Sequence, residues 1–174
     1  MLSCVLAIVC GFLVLVLDRI SKLFILNNFD LGEGFIAIKG VLNIVFVKNP
    51  GAAWGMFGGK TLPLIILTSV VMAVCIFVLI KIGKKNPLLF WSLVLVVSGG
   101  LGNLIDRIFY NGYVVDFLQF GFWTSYPVFN IADCAVVIGG GMLVLYFILD
   151  LIKDVRLKKT IKSENALESY NGDN

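Results

Sequence analysis

Residues 87–107 read PLLFWSLVLVVSGGLGNLIDR. No charge interrupts the run until Asp106 and Arg107. An α-helix needs ~20 apolar residues to cross a hydrocarbon core of about 30 Å, and Pro87–Ile105 supplies that length. Gly99, Gly100 and Gly102 near its end allow a neighbouring helix to approach closely. The stretch reads as a membrane span that ends in polar groups.

Three further runs have the same character. The first extends from about Leu2 to Leu17 and continues toward Leu26, the second from Leu62 to Ile82 with Pro63 early in it, and the fourth from about Ile131 to Ile152. The 174 residues are 59% hydrophobic and 14% charged, with a mean hydropathy of +0.98. A soluble domain is roughly 45–50% apolar and about 25% charged, so the bilayer is the expected solvent. Met1-Leu2-Ser3 carries no basic region and no Ala-x-Ala-like site follows, so the first run reads as a retained anchor.

Loop charge orients the spans. Lys81, Lys84 and Lys85 join the second to the third, and Lys153, Arg156, Lys158, Lys159 and Lys162 follow the fourth. Both segments are expected in the cytoplasm. An even number of spans places both termini there, and residues 27–61 and 106–130 outside. Phe35–Lys48 alternates, is rich in Val, Ile and Phe, and contains a turn signal at Lys39-Gly40, which predicts a surface hairpin. The expected architecture is an all-α membrane protein of four transmembrane helices with a small β-hairpin on the outer face. One domain covers 1–162, its extracytoplasmic β segment at about 27–61, and a polar, disordered cytoplasmic tail covers 163–174.

There is no histidine. That excludes Ser-His and Cys-His catalysis and His-ligated zinc. Cys4, Cys10, Cys75 and Cys134 lie in apolar runs without a Cys-x-x-Cys pattern and read as small buried hydrophobes. The absence of an internal repeat counts against two-fold transporter plans.

Of eleven acidic residues, Asp18, Asp106, Asp116 and Asp133 lie near the outer ends of spans. A charge at the bilayer centre costs at least ~2.5–3.5 kcal/mol; at the interface the cost is smaller, but partners are still needed. Asp18 and Lys22, spaced i,i+4, share a helix face and read as a pair holding the helix end, with Lys22 as a base the sharper alternative. Asp106 ends a helix, where the macrodipole disfavours a carboxylate. Arg107 beside it suggests a structural ion pair. Asp116 sits in Val114-Val115-Asp116-Phe117 with no adjacent cation and reads as a turn residue or as a working acid. Asn130 and Asp133 approach a capping box, a position that favours an ionised carboxylate. Two carboxylates meeting at one site share a proton, so that one activates water and the other polarises a carbonyl.

Five motifs then appear in order: Asp18-Arg19-Ile20-Ser21-Lys22, Asn49-Pro50-Gly51-Ala52-Ala53-Trp54-Gly55, Gly99–Arg107, Val114–Phe117 and Phe129-Asn130-Ile131-Ala132-Asp133. Together they resemble the bacterial lipoprotein signal peptidases (signal peptidase II), over nearly the whole chain up to Lys162. The resemblance implies a multi-pass aspartic endopeptidase of the bacterial inner membrane that needs no cofactor or metal. It would cleave diacylglyceryl-modified prolipoproteins just before the lipidated cysteine. It implies Asp116 and Asp133 as the catalytic pair, Asp106 with Asp133 being the alternative. By the same matching, Asn49, Gly51, Asn103, Arg107 and Asn130 shape the site or hold substrate, while Asp18, Lys22 and Asp106 are structural. The implied partners are lipid-modified prolipoproteins and membrane lipid, with no nucleic acid, for a monomer. Rival readings are a proton-coupled transporter, a purely structural factor, and a serine–lysine peptidase using Ser21 and Lys22. Adjacent residues point about 100° apart on a helix, which disfavours the last.

Overall fold

A computed structural model describes residues 2–51, 61–81 and 86–172, with side chains to residue 161. Four helices follow the apolar runs: α1 (Leu2–Asn28), α2 (Thr61–Lys81), α3 (Pro87–Phe109) and α4 (Ile131–Gly172). Each contains a stretch long and apolar enough to span a membrane. In α2 Pro63 falls in the first turn, where no intrahelical bond is lost. Asn86 caps α3, its side chain accepting from the Leu88 and Leu89 N–H groups.

The helix α4 exceeds the expected span. Its apolar part reaches Ile161, and the backbone stays helical to Gly172, through the segment whose composition suggests an irregular tail. Glu164, Ala166, Leu167 and Glu168 are good helix formers, and neither Gly nor Pro intervenes before Gly172. Ala52–Gly55 of the second motif, Lys84, Lys85 and the side chain of Lys162 lie outside the described residues.

The helix α3 is central. Of its most apolar window 56% is buried, against 17% or less in the other three helices. The exposed Val, Ile, Leu and Phe of α1, α2 and α4 form the lipid-facing surface. Small residues set the helix spacing. A Cβ on Gly99 would collide with the Ala132 carbonyl and Val136 of α4, and one on Gly102 would come within 2.7 Å of Asp18 Oδ2. Ala7 of α1 packs on Phe90 and Val94 near the start of α3, so these two helices run parallel.

At the other end of α1 sits a three-stranded antiparallel sheet of β1 (Gly34–Ile38), β2 (Leu42–Asn49) and β3 (Val114–Phe120), in that order. The turn between β1 and β2 uses Gly40 at φ +75°, and the hairpin lies where the alternation of Phe35–Lys48 places it. The third strand comes from the segment between α3 and α4. Its register sets Val47 opposite Asp116 and Asn49 opposite Val114. Ile25 of α1 packs with Phe46, Val115 and Phe117, fixing the sheet over the helix ends. The four cysteines are unpaired and half-buried rather than fully buried.

Candidate active site

The C-terminal halves of α1 and α3, the start of α4 and β3 meet beneath the sheet, and they bring all four aspartates together. Two of the four are neutralised. Lys22 Nζ lies 2.9 Å from Asp18 Oδ2 and 2.9 Å from Asp106 Oδ2. Arg19 Nη1 lies 2.6 Å from Asp106 Oδ1. Lys22 also donates to Asn103 Oδ1 at 3.0 Å. Lys22 and Asp106 are fully buried, and Asp18 nearly so.

This arrangement corrects the pairing suggested by adjacency. Asp106 binds Arg19, Lys22 and the Val115 N–H, not Arg107. Neighbours on a helix diverge by about 100°, so Arg107 turns the other way and donates through Nη2 to the Gly51 carbonyl at 3.1 Å. Asp18 holds more than its own helix end, because its Oδ1 accepts the Ala132 N–H of α4 at 3.0 Å. With three donors engaged, Lys22 has no lone pair to act as a base. Ser21 Oγ donates to the Asp18 carbonyl in its own helix, so no Ser21–Lys22 dyad forms.

Asp116 and Asp133 are held differently. Asn49 Nδ2 donates to Asp116 Oδ2 at 2.9 Å and Asn130 Nδ2 to Asp116 Oδ1 at 2.6 Å. Asn103 Nδ2 donates to Asp133 Oδ1 at 2.7 Å, and the Asn130 N–H to Asp133 Oδ2 at 3.1 Å. The Asp133 N–H donates back to Asn130 Oδ1 at 2.9 Å. That reciprocal exchange is a capping box, so the capping position and the site position of Asp133 are one geometry. Among the described residues, no Lys or Arg nitrogen lies within ion-pair distance of either carboxylate.

Both carboxylates face a cleft of about 170 Å³, lined also by Asn49, Gly51, Asn103 and Arg107. Asp116 is 1% exposed. Burial pushes its carboxyl up to about 7 and the nearby Asp133 charge adds to this, while hydrogen bonds from Asn49 and Asn130 pull the other way. Asn130 stands behind the pair, fully buried. All seven residues expected at the site therefore converge on it. Asp106 stays outside, both its oxygens occupied. Two contributors have no local sequence signal. Arg19 neutralises an acid 87 positions away. Tyr126, Pro127, Val128 and Phe129 form a wall of the cleft.

A family model described as "Signal peptidase (SPase) II" matches residues 10–149. The chain is 41% identical over 147 residues to the lipoprotein signal peptidase of Clostridium acetobutylicum, covering 83% of this chain and 93% of that one. It is 42% identical over 137 residues to that of Clostridium tetani, covering 77% and 86%. A solved structure described as a bacterial membrane enzyme, obtained by the in meso method at 2.3 Å, superposes with a TM-score of 0.78 at 32% identity, over 83% of this chain and 88% of that one.

Proposed function

The chain belongs to the signal peptidase II family, and from that premise we propose that it removes signal peptides from diacylglyceryl-modified prolipoproteins, cutting just before the lipidated cysteine with Asp116 and Asp133 as the catalytic pair. One observation carries the pair. Of the four aspartates at this end, two are bound by Lys22 and Arg19, while the other two face an open cleft and are held by asparagine amides.

Asp116 carries the shared proton in the resting enzyme, and Asp133 is the base. A water between them gives a proton to Asp133 as its oxygen attacks the scissile carbonyl carbon. Asp116 gives its proton to the carbonyl oxygen, forming a gem-diol. The gem-diol then returns a proton to Asp116, Asp133 protonates the departing amide nitrogen, and the C–N bond breaks. Each carboxyl ends as it began. Arg107 and Gly51 line the approach and orient the substrate backbone, while Asn49, Asn103 and Asn130 fix the carboxyl oxygens.

The substrate fits the place. A signal peptide is an apolar helix, and its diacylglyceryl group also stays in lipid. A site at the ends of the spans meets both and still admits water. Lys81 ends α2, and Lys153, Arg156, Lys158 and Lys159 lie in the C-terminal part of α4, away from Asp133. The positive-inside rule therefore supports cytoplasmic termini and a catalytic face on the outer side of the cytoplasmic membrane. One chain supplies every residue of the pair's surroundings named above, so a single copy suffices for this chemistry.

Incubation with a lipidated prolipoprotein tests the reading. Wild type releases the signal peptide and is blocked by a globomycin-like cyclic peptide, whereas Asp116→Asn and Asp133→Asn leave the precursor intact. Turnover by either variant near the wild-type rate removes the pair assignment.

A further inference from the structure

Lys22 is buried to 0% exposure, and no step above uses it. An ammonium group has donors only, so an oxygen must face it. At Asn103 that oxygen is Oδ1, 3.0 Å away. The same oxygen receives Asn130 Nδ2 at 3.0 Å. With Oδ1 held on this side, the Asn103 amide nitrogen must point the other way, and there it meets Asp133 Oδ1 at 2.7 Å. The orientation of the amide is thus dictated by the lysine behind it.

A second path leads from Lys22 to the other carboxyl. Asp106 Oδ2 binds Lys22 and also accepts the N–H of Val115, the residue before Asp116. Lys22 is therefore two hydrogen bonds from Asp133 and holds the strand that carries Asp116.

We propose that Lys22 is a positioning residue for the catalytic pair: through Asn103 and Asp106 it turns a donor toward Asp133, anchors the strand of Asp116, and places a fixed positive charge behind the pair. The proposal rests on the reading of Asp116 and Asp133 as that pair. Lys22 is buried and does not line the cleft that Asp116 and Asp133 face. The charged groups around Asp116 are Asp133 of α4, Asp106 and Arg107 of α3, and Asp18, Arg19 and Lys22 of α1; Lys48 of β2 lines a different cleft with Tyr110 and Tyr113. The field of Lys22 favours the ionised form of Asp116. Orienting Asn103 as a donor also favours a charged pair, so both effects have one sign.

Lys22→Met alone would leave an uncompensated buried carboxylate, so the test uses a charge-balanced variant, Lys22→Met with Asp18→Asn. The amide that replaces the Asp18 carboxyl keeps an oxygen for the Ala132 N–H. The readout is kcat/KM against pH on a lipidated prolipoprotein, with protein reconstituted in lipid nanodiscs. The alkaline limb of the double variant lies at higher pH than that of Asp18→Asn alone, from which it differs only by the lysine's charge and donors. Asp18→Asn alone, which removes a negative charge from beside Lys22, is the reference and does not move the limb to higher pH. A merely structural lysine would lower the amount of folded enzyme without moving the limb. A folded double variant whose limb coincides with that of Asp18→Asn alone overturns the proposal. Lys22→Met with Asp106→Asn is a second balanced variant, read in the same way if the first does not fold. Activity in Asp116→Asn or Asp133→Asn would instead defeat the pair itself, a separate outcome.

Discussion

Asp18 in the first helix accepts the backbone N–H of Ala132 in the fourth at 3.0 Å, across 114 positions of sequence. The first turn of a helix has unsatisfied N–H groups, and here one is satisfied from another span. The same carboxyl binds Lys22 with its other oxygen. The start of α4, and with it Asp133, is thereby fixed to α1, and each prediction below tests part of that framework.

Replacing either carboxyl of the pair by its amide keeps size and removes the proton transfer. Asp116→Asn and Asp133→Asn should each lower kcat/KM by at least about 10³-fold, within the range attributed to general acid–base groups. Both should insert and purify like wild type. The measurement is precursor cleavage alongside size-exclusion behaviour.

The pH profile follows from Asp116, whose carboxyl ionises near 7 rather than near 3.8. Activity requires the shared proton, so kcat/KM should fall as pH rises through about 7. Stability has the same direction. Between about 3.8 and 7 the folded chain holds a proton at Asp116 that the unfolded chain has released, so stability decreases as pH rises through that window. Asp116→Asn should flatten that slope in thermal unfolding measured across it. An unchanged slope would show that burial of this carboxyl is not its source.

Asp106→Asn should behave unlike the pair. It leaves Lys22 and Arg19 with one fewer negative partner in a buried cluster, and breaking a buried pair costs about 3–5 kcal/mol. The expected result is low folded yield and a lowered Tm, with residual activity in the enzyme that does fold. A variant that purified normally and were wholly inactive would move Asp106 into the chemistry.

Gly99→Val should separate α3 from α4. Any Cβ at this position meets the Ala132 carbonyl and Val136, and such overpacking costs typically about 1–3 kcal/mol. Because Asn103 and Asp133 bridge the same helix pair, activity should fall along with Tm. Gly140→Ala on α4, where a Cβ would meet nothing within 4 Å, should change neither.

The sequence makes the spans legible because lipid demands long uncharged runs, and it makes the hairpin legible because Val, Ile and Phe flank a turn signal at Lys39-Gly40. Asn130 and Asp133 are legible for a local reason: capping chemistry acts over three residues. The third strand is less so. Val114–Phe120 is short and buried at its start, and its partner β2 lies more than sixty positions earlier, with no turn between them to announce the pairing. The partner of Asp106 is illegible for a different reason. Adjacency points to Arg107, but helix geometry turns Arg107 away, and Arg19 and Lys22 arrive from another span. The convergence of Asp116 and Asp133 became readable through motif resemblance, since nothing local to either residue announces the other.

The reciprocal cap between Asn130 and Asp133 also has a temporal meaning. A ribosome delivers these residues after the first three spans, and the cap forms only when the last span becomes helical. The groups that meet it, Asp18 and Asn103, belong to spans made earlier. A half-made chain thus lacks one of the two carboxyls of the proposed pair.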